Sequence, residues 1–473
     1  MTVSALNSGM KKGRGRLISA PAIEPGRALN EQITAHMRGL IQTGAIASGT
    51  RLPSQRLLAR DLRVSRNTVL SVIERLTSEG LIESRRGSGT YVAARTNTPV
   101  APPKFVDASP APLAPFDVGA PALDLFPVDV WSKLHARRWQ RLPHAVLGEG
   151  EPGGWRGLRA VIAQRVAALR GIACDPEQVL IVPSSQIAVE LAARCLAQPG
   201  ETAWVEDPGY WRTRDALRGA GLKVSPVSVD AQGFDVARAR STIQARIAAV
   251  TPLRHFPTGV VLPTQRRKDL IAWARAEEGW IIEDDFEADF CFDGVTPTAL
   301  AAEAPDRVVY TFTFSPIMFP ALRIAFLISP PSMVDRFIRA RQRSDRMMST
   351  PAEMVLQDFM MEGHLAAHVR ACRAVYAERR AFLAEALRRR LGDRIDVSLP
   401  PVGLHLIAWL KDGGSDRQIK AAAAAAGVVV SAISDHALLP AKPGLFLGFA
   451  GYANAQLEDA VERLGAAFDA VGA

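Results

Sequence analysis

The chain has 473 residues, of which 48% are hydrophobic and 22% charged, and its net charge is +9. This length exceeds what one hydrophobic core usually organises, so we expect at least two domains. The sequence contains no run of about 18 or more consecutive apolar residues, and its basic N-terminus lacks the apolar segment of a signal peptide. These features exclude a membrane-spanning helix and favour a cytoplasmic protein with no membrane partner.

The positive charge is concentrated in the first fifth of the chain. Residues 1–95 contain 15 Lys and Arg against 6 Asp and Glu, whereas the two signs balance in the remainder. Such asymmetry indicates a polyanion partner, because neutralising phosphates is the main sequence-independent source of nucleic-acid affinity. A basic tail on a solvated surface is the alternative. The four cysteines have no metal-ligand spacing, so we predict free thiols and no metal site.

Composition divides the chain into four segments. Residues 1–27 are rich in Gly, Ser and basic side chains, which predicts a flexible basic arm. Residues 28–95 have helical and hairpin patterns, and six prolines in 96–115 favour an extended linker. Residues 116–473 alternate apolar runs with helical patterns, which predicts an α/β domain around a largely parallel sheet. The predicted strands are 179–182, 203–205, 248–251, 280–283, 308–312 and 324–328.

A helix-turn-helix is predicted within the second segment. Apolar residues recur at helical spacing over 31–43, Ser54 is placed to cap a second helix, and Ser65 is placed to cap a third over 66–79. The buried stripe of the third helix leaves the polar side chains at its N-terminal end exposed. Arg, Asn, Ser and Thr at such a position are typical of residues that read bases and phosphates.

A basic hairpin follows the third helix. Arg85 and Arg86 adjoin a turn formed by Gly87, Ser88 and Gly89, and the glycines allow backbone amides to approach a phosphate. An ordinary surface hairpin beside a structural helix pair is the alternative interpretation. The charge asymmetry favours a DNA-binding wing.

The sequences GTRLPSQR at 49–56, VSRNTV at 64–69 and RRGSGT at 85–90 resemble the winged helix of the GntR superfamily. This resemblance implies a small α+β domain that binds double-stranded DNA. The predicted DNA-binding residues are Arg51, Ser54, Arg56, Ser65, Arg66, Asn67, Thr68, Arg85, Arg86, Gly87, Ser88 and Gly89.

From about residue 116 onward the chain resembles fold-type I aminotransferases, and the two parts together resemble the MocR subfamily of GntR regulators. The markers are DLFP at 124–127, GEPGGWRGLR at 150–159, EDPGY at 206–210, FPTG at 256–259 and EDDF at 283–286. The resemblance implies a pocket for pyridoxal 5′-phosphate, in which Tyr210 stacks on the ring, Asp284 faces the pyridine nitrogen and Arg323 lies near the phosphate. The predicted pocket residues are Ser184, Ser185, Gln186, Tyr210, Arg254, Asp284, Phe286, Thr313, Ser315 and Arg323.

The chain differs from the family that it resembles at the positions of the Schiff-base lysine and of residues that contact the cofactor or substrate. Relatives place the Schiff-base lysine directly after a Phe-Ser pair, but here that position is Pro316, which has no primary amine. Phe286 stands in place of a tyrosine, and Phe446 in place of the arginine that binds a substrate carboxylate. Phe312 and Ser184 each replace a glycine, and we expect the three phenylalanines to make the pocket more apolar. We therefore predict no catalytic residue and no transaminase activity.

Two interpretations of the pocket remain open. Either it was remodelled for a different or non-covalent effector, or it is vestigial and the large domain is only a dimerisation scaffold. A pyridoxal-phosphate transaminase fused to a DNA-binding module is the rival from another class, and Pro316 argues against it. We adopt the first interpretation: a homodimeric DNA-binding transcription regulator with an effector of unknown identity, for which pyridoxal 5′-phosphate is a non-covalent ligand at most.

Overall fold

A computed structural model describes residues 18, 20–21, 28–85, 87–93, 114–292, 296–344, 347–411 and 413–472. These residues belong to two compact units, one within Met1–Pro110 and one within Ala111–Ala473. The predicted arm and the predicted linker lie almost entirely outside the described residues. No helix in the described part of the chain is both long and apolar enough to cross a membrane.

The first unit is a winged helix-turn-helix. Ile33, Leu58, Val69 and Leu76 are each at most 1% exposed and belong to one core. The apolar spacing that predicted the three helices is the pattern that buries these side chains. Its elements are α1 (Leu29–Gln42), α2 (Gln55–Leu62), α3 (Arg66–Ser78), β1 (Ile82–Arg85) and β2 (Gly89–Val92).

The second unit alternates strands and helices. Its helices are α4 (Val128–Gln140), α5 (Arg156–Arg170), α6 (Ser185–Leu196), α7 (Trp211–Gly219), α8 (Val236–Thr242), α9 (Thr264–Ala276), α10 (Leu300–Glu303), α11 (Val334–Arg343), α12 (Thr350–Met361), α13 (His364–Leu391), α14 (Asp416–Ala425) and α15 (Asn454–Val471). Its strands are β3 (Val179–Val182), β4 (Thr202–Asp207), β5 (Lys223–Ser228), β6 (Ile247–Val250), β7 (Trp280–Asp284), β8 (Val308–Thr313), β9 (Ala325–Ile328), β10 (Ile395–Ser398), β11 (His405–Leu410), β12 (Ser431–Ala432) and β13 (Gly444–Gly448).

A seven-stranded sheet forms the centre of this unit, in the order β3-β9-β8-β7-β6-β4-β5. All its strands are parallel except β9, which runs antiparallel to both neighbours. The predicted α/β class and the six predicted strands are confirmed. Sequence analysis missed β5, because this edge strand is only half-buried and contains Pro226, which interrupts the apolar run.

A smaller antiparallel sheet, in the order β10-β11-β13-β12, lies in the C-terminal part of the second unit. Its central strands β11 and β13 are almost wholly buried. Parallel strands β4, β7 and β8 all end at the same edge of the large sheet, and open α/β sheets bind their ligands at that edge. We therefore expect a ligand-binding site among the residues that follow these strands.

Candidate functional site

Side-chain caps shape the helix-turn-helix. The Oγ atoms of Ser54 and Ser65 each accept a hydrogen bond from a backbone N–H three residues ahead, at 3.4 and 3.1 Å. Between them Arg63 ends α2 in the left-handed conformation, with φ at 58°, which turns the chain sharply into α3. The two serines therefore position the helices, while Arg66 and Asn67 present exposed side chains at the start of α3.

The wing is a tight antiparallel hairpin in which Arg85 lies opposite Gly89. The guanidinium of Arg85 donates hydrogen bonds to Glu83 and lies 4.7 Å from the centre of the Tyr91 ring. At Gly89, where φ is +116°, an added Cβ would lie 3.0 Å from Nε of Arg51. Glycine at this position therefore lets the Arg51 side chain pack closely against the wing.

The remaining predicted DNA-binding residues lie on the same unit. Arg56, Gly87 and Ser88 are exposed, and Thr68 is half-buried, with its Oγ1 2.9 Å from the Oγ of Ser65. Arg86 lies outside the described residues.

In the second unit, one cavity of about 490 Å³ opens at the C-terminal edge of the large sheet. It brings together all the predicted pocket residues except Arg254. The predicted residues that line it are Ser184, Ser185, Gln186, Tyr210, Asp284, Phe286, Thr313, Ser315 and Arg323, and Pro316 and Phe446 line it as well.

The polar end of the cavity is the carboxylate of Asp284, at the end of β7. Thr311 donates a hydrogen bond from Oγ1 to its Oδ1 at 3.3 Å, and among the described residues no cationic side chain forms an ion pair with it. Burial raises the pKa of Asp284 to about 7, and the neighbouring Asp285 adds to this effect. A buried carboxylate without a cation is costly unless it is protonated or meets a positively charged ligand.

A second polar region is formed by the start of α6 and by Arg323. Ser184 caps this twelve-residue helix by accepting a hydrogen bond from the N–H of Ile187 at 3.3 Å. Arg323 follows β8 in a left-handed conformation, with φ at 53°, and it is exposed. Backbone strain of this kind is common at ligand sites. A helix N-terminus and an arginine that line the same cavity are each suited to an anion.

Aromatic rings form the wall between the large sheet and the C-terminal part of the unit. The ring of Phe256 lies 5.2 Å from that of Tyr210, 5.3 Å from that of Phe446 and 5.2 Å from that of His436, measured between centroids. Phe286 packs on the same cluster at 6.2 Å. Burial lowers the pKa of His436 to about 4, so its ring is neutral at physiological pH. This wall is therefore apolar and uncharged.

The expectation that Arg254 lines the pocket is not met by the structure. Arg254 is 3% exposed, and its Nη1 lies 2.6 Å from Oε2 of Glu287, while Nη2 contacts His405. Glu287 is itself fully buried, so it requires a cation within reach. Gly403 leaves the space for this ion pair, because an added Cβ would lie 2.1 Å from Nε of Arg254. Arg254 is thus part of the core behind the cavity.

The expected effect of Phe312 on the pocket is also wrong. Successive side chains of a strand point to opposite faces. Thr311 contacts Asp284 and Thr313 lines the cavity, whereas Phe312 packs on Phe326 on the other face of the sheet, with ring centroids 5.3 Å apart. Only Phe286 and Phe446, of the three phenylalanines, make the cavity more apolar.

Several cavity residues were missed by sequence reasoning. Trp211 and Arg212 follow Tyr210 at the start of α7, and the Arg212 guanidinium lies 4.5 Å from the Trp211 ring centre. Their adjacency to Tyr210 was an available signal. Asp117 and His436 also line the cavity, but they come from distant parts of the chain and carry no local pattern that points to a site.

Comparisons with known proteins agree with this architecture. The family model for aminotransferase class I and II matches residues 119–464, and that for bacterial regulatory proteins of the gntR family matches residues 29–92. The second unit resembles an archaeal alanine:glyoxylate aminotransferase, with a TM-score of 0.71 and 21% identity over 76% of this chain and 92% of that one. It also resembles the kynurenine aminotransferase of Pyrococcus horikoshii, with a TM-score of 0.69 and 22% identity over 75% and 90%. These likenesses show the fold.

The two units define a class of protein, a winged-helix DNA-binding domain joined to a fold-type I aminotransferase domain. The chain is 31% identical to the probable rhizopine catabolism regulatory protein MocR of Rhizobium meliloti, over 93% of this chain and 94% of that protein. It is 28% identical to the pyridoxine biosynthesis transcriptional regulator PdxR of Corynebacterium glutamicum, over 80% and 82%. The chain belongs to the MocR-like, GntR-family helix-turn-helix transcriptional regulators.

Proposed function

We propose that this regulator is a homodimer that binds double-stranded DNA through its winged helix and binds a small effector non-covalently in the cavity around Asp284. In this proposal the aminotransferase-like domain transfers no amino groups. The proposed DNA contacts are Arg51, the capping serines Ser54 and Ser65, and the residues of α2, α3 and the wing named above. Residues 28–95 are the DNA-binding domain, 96–115 the linker and 116–473 the effector-binding and dimerisation domain.

The observation that carries the proposal is the absence of an amine at the site. None of the described residues that line the cavity is a lysine, and Pro316 is among them. Lys268, which lies on α9, is exposed and does not line the cavity. A Schiff base with the cofactor aldehyde requires a primary amine within bonding distance, so the geometry supports binding rather than transamination.

The residues that line the cavity fit pyridoxal 5′-phosphate as a non-covalent ligand. When bound, this cofactor supplies a pyridinium cation and a phosphate dianion. Asp284 would hold the cation in its ionised form, the start of α6 with Arg323 would hold the dianion, and Tyr210 would pack on the ring. Phe286 and Phe446 offer neither a hydroxyl nor a guanidinium to a substrate. The same fit serves other planar effectors that carry a cation and an anionic group.

Regulation would follow from dimerisation. Two winged helices in one dimer can read repeated or palindromic half-sites, and an effector that prefers one arrangement of the dimer shifts its population through the linker. Because the proposed partner is chromosomal DNA, we expect the protein to act in the cytoplasm.

A titration of the purified full chain with pyridoxal 5′-phosphate tests the proposal, with heat release and visible absorption followed together. We expect saturable heat without the absorption band of a covalent adduct. Amino-group transfer above the background of the free cofactor would overturn the assignment as a non-enzyme. If no heat is released and no metabolite raises the melting temperature, effector binding is wrong and the domain is a ligand-blind scaffold.

A further inference from the structure

A second cavity lies on the opposite face of the large sheet, between α5, β8 and the loop after β7. Its volume is about 140 Å³, and it shares no lining residue with the cavity around Asp284. Phe312 and Phe326, whose rings stack, line it together with Val166 and Leu169 of α5. Phe312 therefore contributes an aromatic surface to the second cavity and not to the first.

One wall of this second cavity is held rigidly by a buried hydrogen-bond network. Nε of Arg170 lies 2.6 Å from Oδ2 of Asp285, and the hydroxyl of Tyr310 donates to the same oxygen at 2.8 Å. Arg170 also donates from Nη1 to the carbonyl of Pro297 at 2.6 Å. A network whose members are all engaged is costly to rearrange. The cavity is therefore preformed, and the charge of Arg170 is compensated.

The other charges around the second cavity do not cancel. Arg165 forms an ion pair with the carboxylate of Asp289. Arg373 donates from Nη2 to the backbone carbonyl of Asp289 at 2.6 Å and forms no ion pair with any described residue. Among the described residues at the cavity, Arg170 and Arg165 are neutralised by their partners, and the positive charge of Arg373 has no acidic partner.

From these observations we infer that the second cavity is a binding site for a small aromatic carboxylate. Its volume is close to the roughly 150 Å³ of a protein cavity that holds one benzene molecule. An aromatic ring would pack on Phe312 and Phe326, where offset or edge contacts are favourable. The carboxylate would pair with the guanidinium of Arg373, which offers two parallel N–H donors.

The test uses 4-fluorobenzoate with the full chain, followed by fluorine NMR. We expect saturable binding to the wild type and binding about tenfold weaker to Arg373→Gln, the loss typical of one charge-assisted contact. Arg370→Gln is the matched control, because Arg370 is an exposed arginine on the same helix that does not line the cavity. Ala288→Phe, which fills the cavity, should abolish binding.

The neutral isostere 4-fluorobenzamide separates charge recognition from ring burial and needs no variant. It should bind to the wild type about tenfold more weakly than 4-fluorobenzoate. Absence of a saturable shift at about 10 mM, where even a millimolar ligand binds, would overturn the inference. So would equal affinities of Arg373→Gln and Arg370→Gln, or loss of binding in Arg323→Gln, which would assign the carboxylate to the arginine of the first cavity.

Discussion

The guanidinium of Arg85 donates two hydrogen bonds to the carboxylate of Glu83, from Nε at 2.9 Å and from Nη2 at 2.6 Å. Both side chains are about half exposed. The charge of Arg85 is thus satisfied within the wing, and the pair must separate before Arg85 can contact a phosphate. Exposed ion pairs of this kind contribute about 0.2–1 kcal/mol.

Glu83→Gln should therefore tighten DNA binding, by up to about fivefold at low salt, because Arg85 no longer has to leave a carboxylate. Fluorescence anisotropy with a labelled duplex measures the change. Glu74→Gln is the control, since it removes the same charge from an exposed position of α3 that forms no ion pair with the described residues. An equal gain in both variants would show that net charge alone is responsible.

Arg66→Ala should weaken binding by about 1–3 kcal/mol and relax base preference, because Arg66 lies at the exposed start of the predicted recognition helix. Arg86→Gln should weaken binding to all sequences alike and reduce the salt dependence by about one phosphate contact. Selection from random duplexes, followed by affinity measurement across salt concentrations, separates the two effects. The recognition assignment is wrong if neither variant changes affinity.

Pro316→Lys should return a primary amine to the cavity. After addition of pyridoxal 5′-phosphate and reduction with borohydride, we expect a mass increase that peptide mapping locates at position 316. The wild type should carry no label in this segment, because proline has no primary amine. Failure of the variant to react, although it binds the cofactor, would show that the cavity holds the cofactor in a different orientation from that of the family.

The carboxyl of Asp284 should make the stability of the ligand-free protein depend on pH. Burial raises its pKa to about 7 in the folded state, against about 3.9 when unfolded. The stability linked to this group is therefore fully present below about pH 4 and is lost as the pH rises through about 7. Asp284→Asn carries no titratable group and should lose less stability.

Urea unfolding at about pH 5 and about pH 8 measures this difference. The decrease in the free energy of unfolding should be smaller in Asp284→Asn than in the wild type by at least about 1.4 kcal/mol, the value of one pKa unit. Glu206, whose pKa burial raises to about 8 with a smaller contribution from the Asp284 charge, titrates in both proteins, so the measured difference includes a small change at Glu206. The same decrease in both would mean that Asp284 is ionised throughout.

Local patterns predicted most of the fold. The helices of the first unit and the strands at 179–182 and 280–283 could be read from the sequence, because burial of one helix face or of both strand faces imposes an apolar pattern on adjacent residues. Edge strand β5 and all four strands of the small sheet, β10 to β13, were missed. Half-buried or two-residue strands such as β5, β10 and β12 impose little pattern. The short apolar runs of buried β11 and β13 cannot be told from helix segments by periodicity alone.

The candidate site was predicted in part, and the error at Arg254 has a tertiary cause. Residues that follow parallel strands, such as Asp284, reach the cavity because the sheet brings the strand ends together. Arg254 was assigned to the cavity because it lies in a loop that resembles a pocket-lining segment, but the buried carboxylate of Glu287 holds it behind the wall. Glu287 and His405, its two partners, are distant in sequence.

The sequence by itself determined that position 316 carries no primary amine, because this depends on residue type alone and proline has none in any fold. It also determined the two domain types, since periodicity and capping residues act locally. Only the tertiary structure decided which face of β8 carries Phe312, that Arg254 pairs with Glu287, and that Arg373 lies beside a second cavity with no acidic partner among the described residues. These outcomes depend on packing between segments far apart in the chain, where the cost of burying charge or leaving space selects the partner.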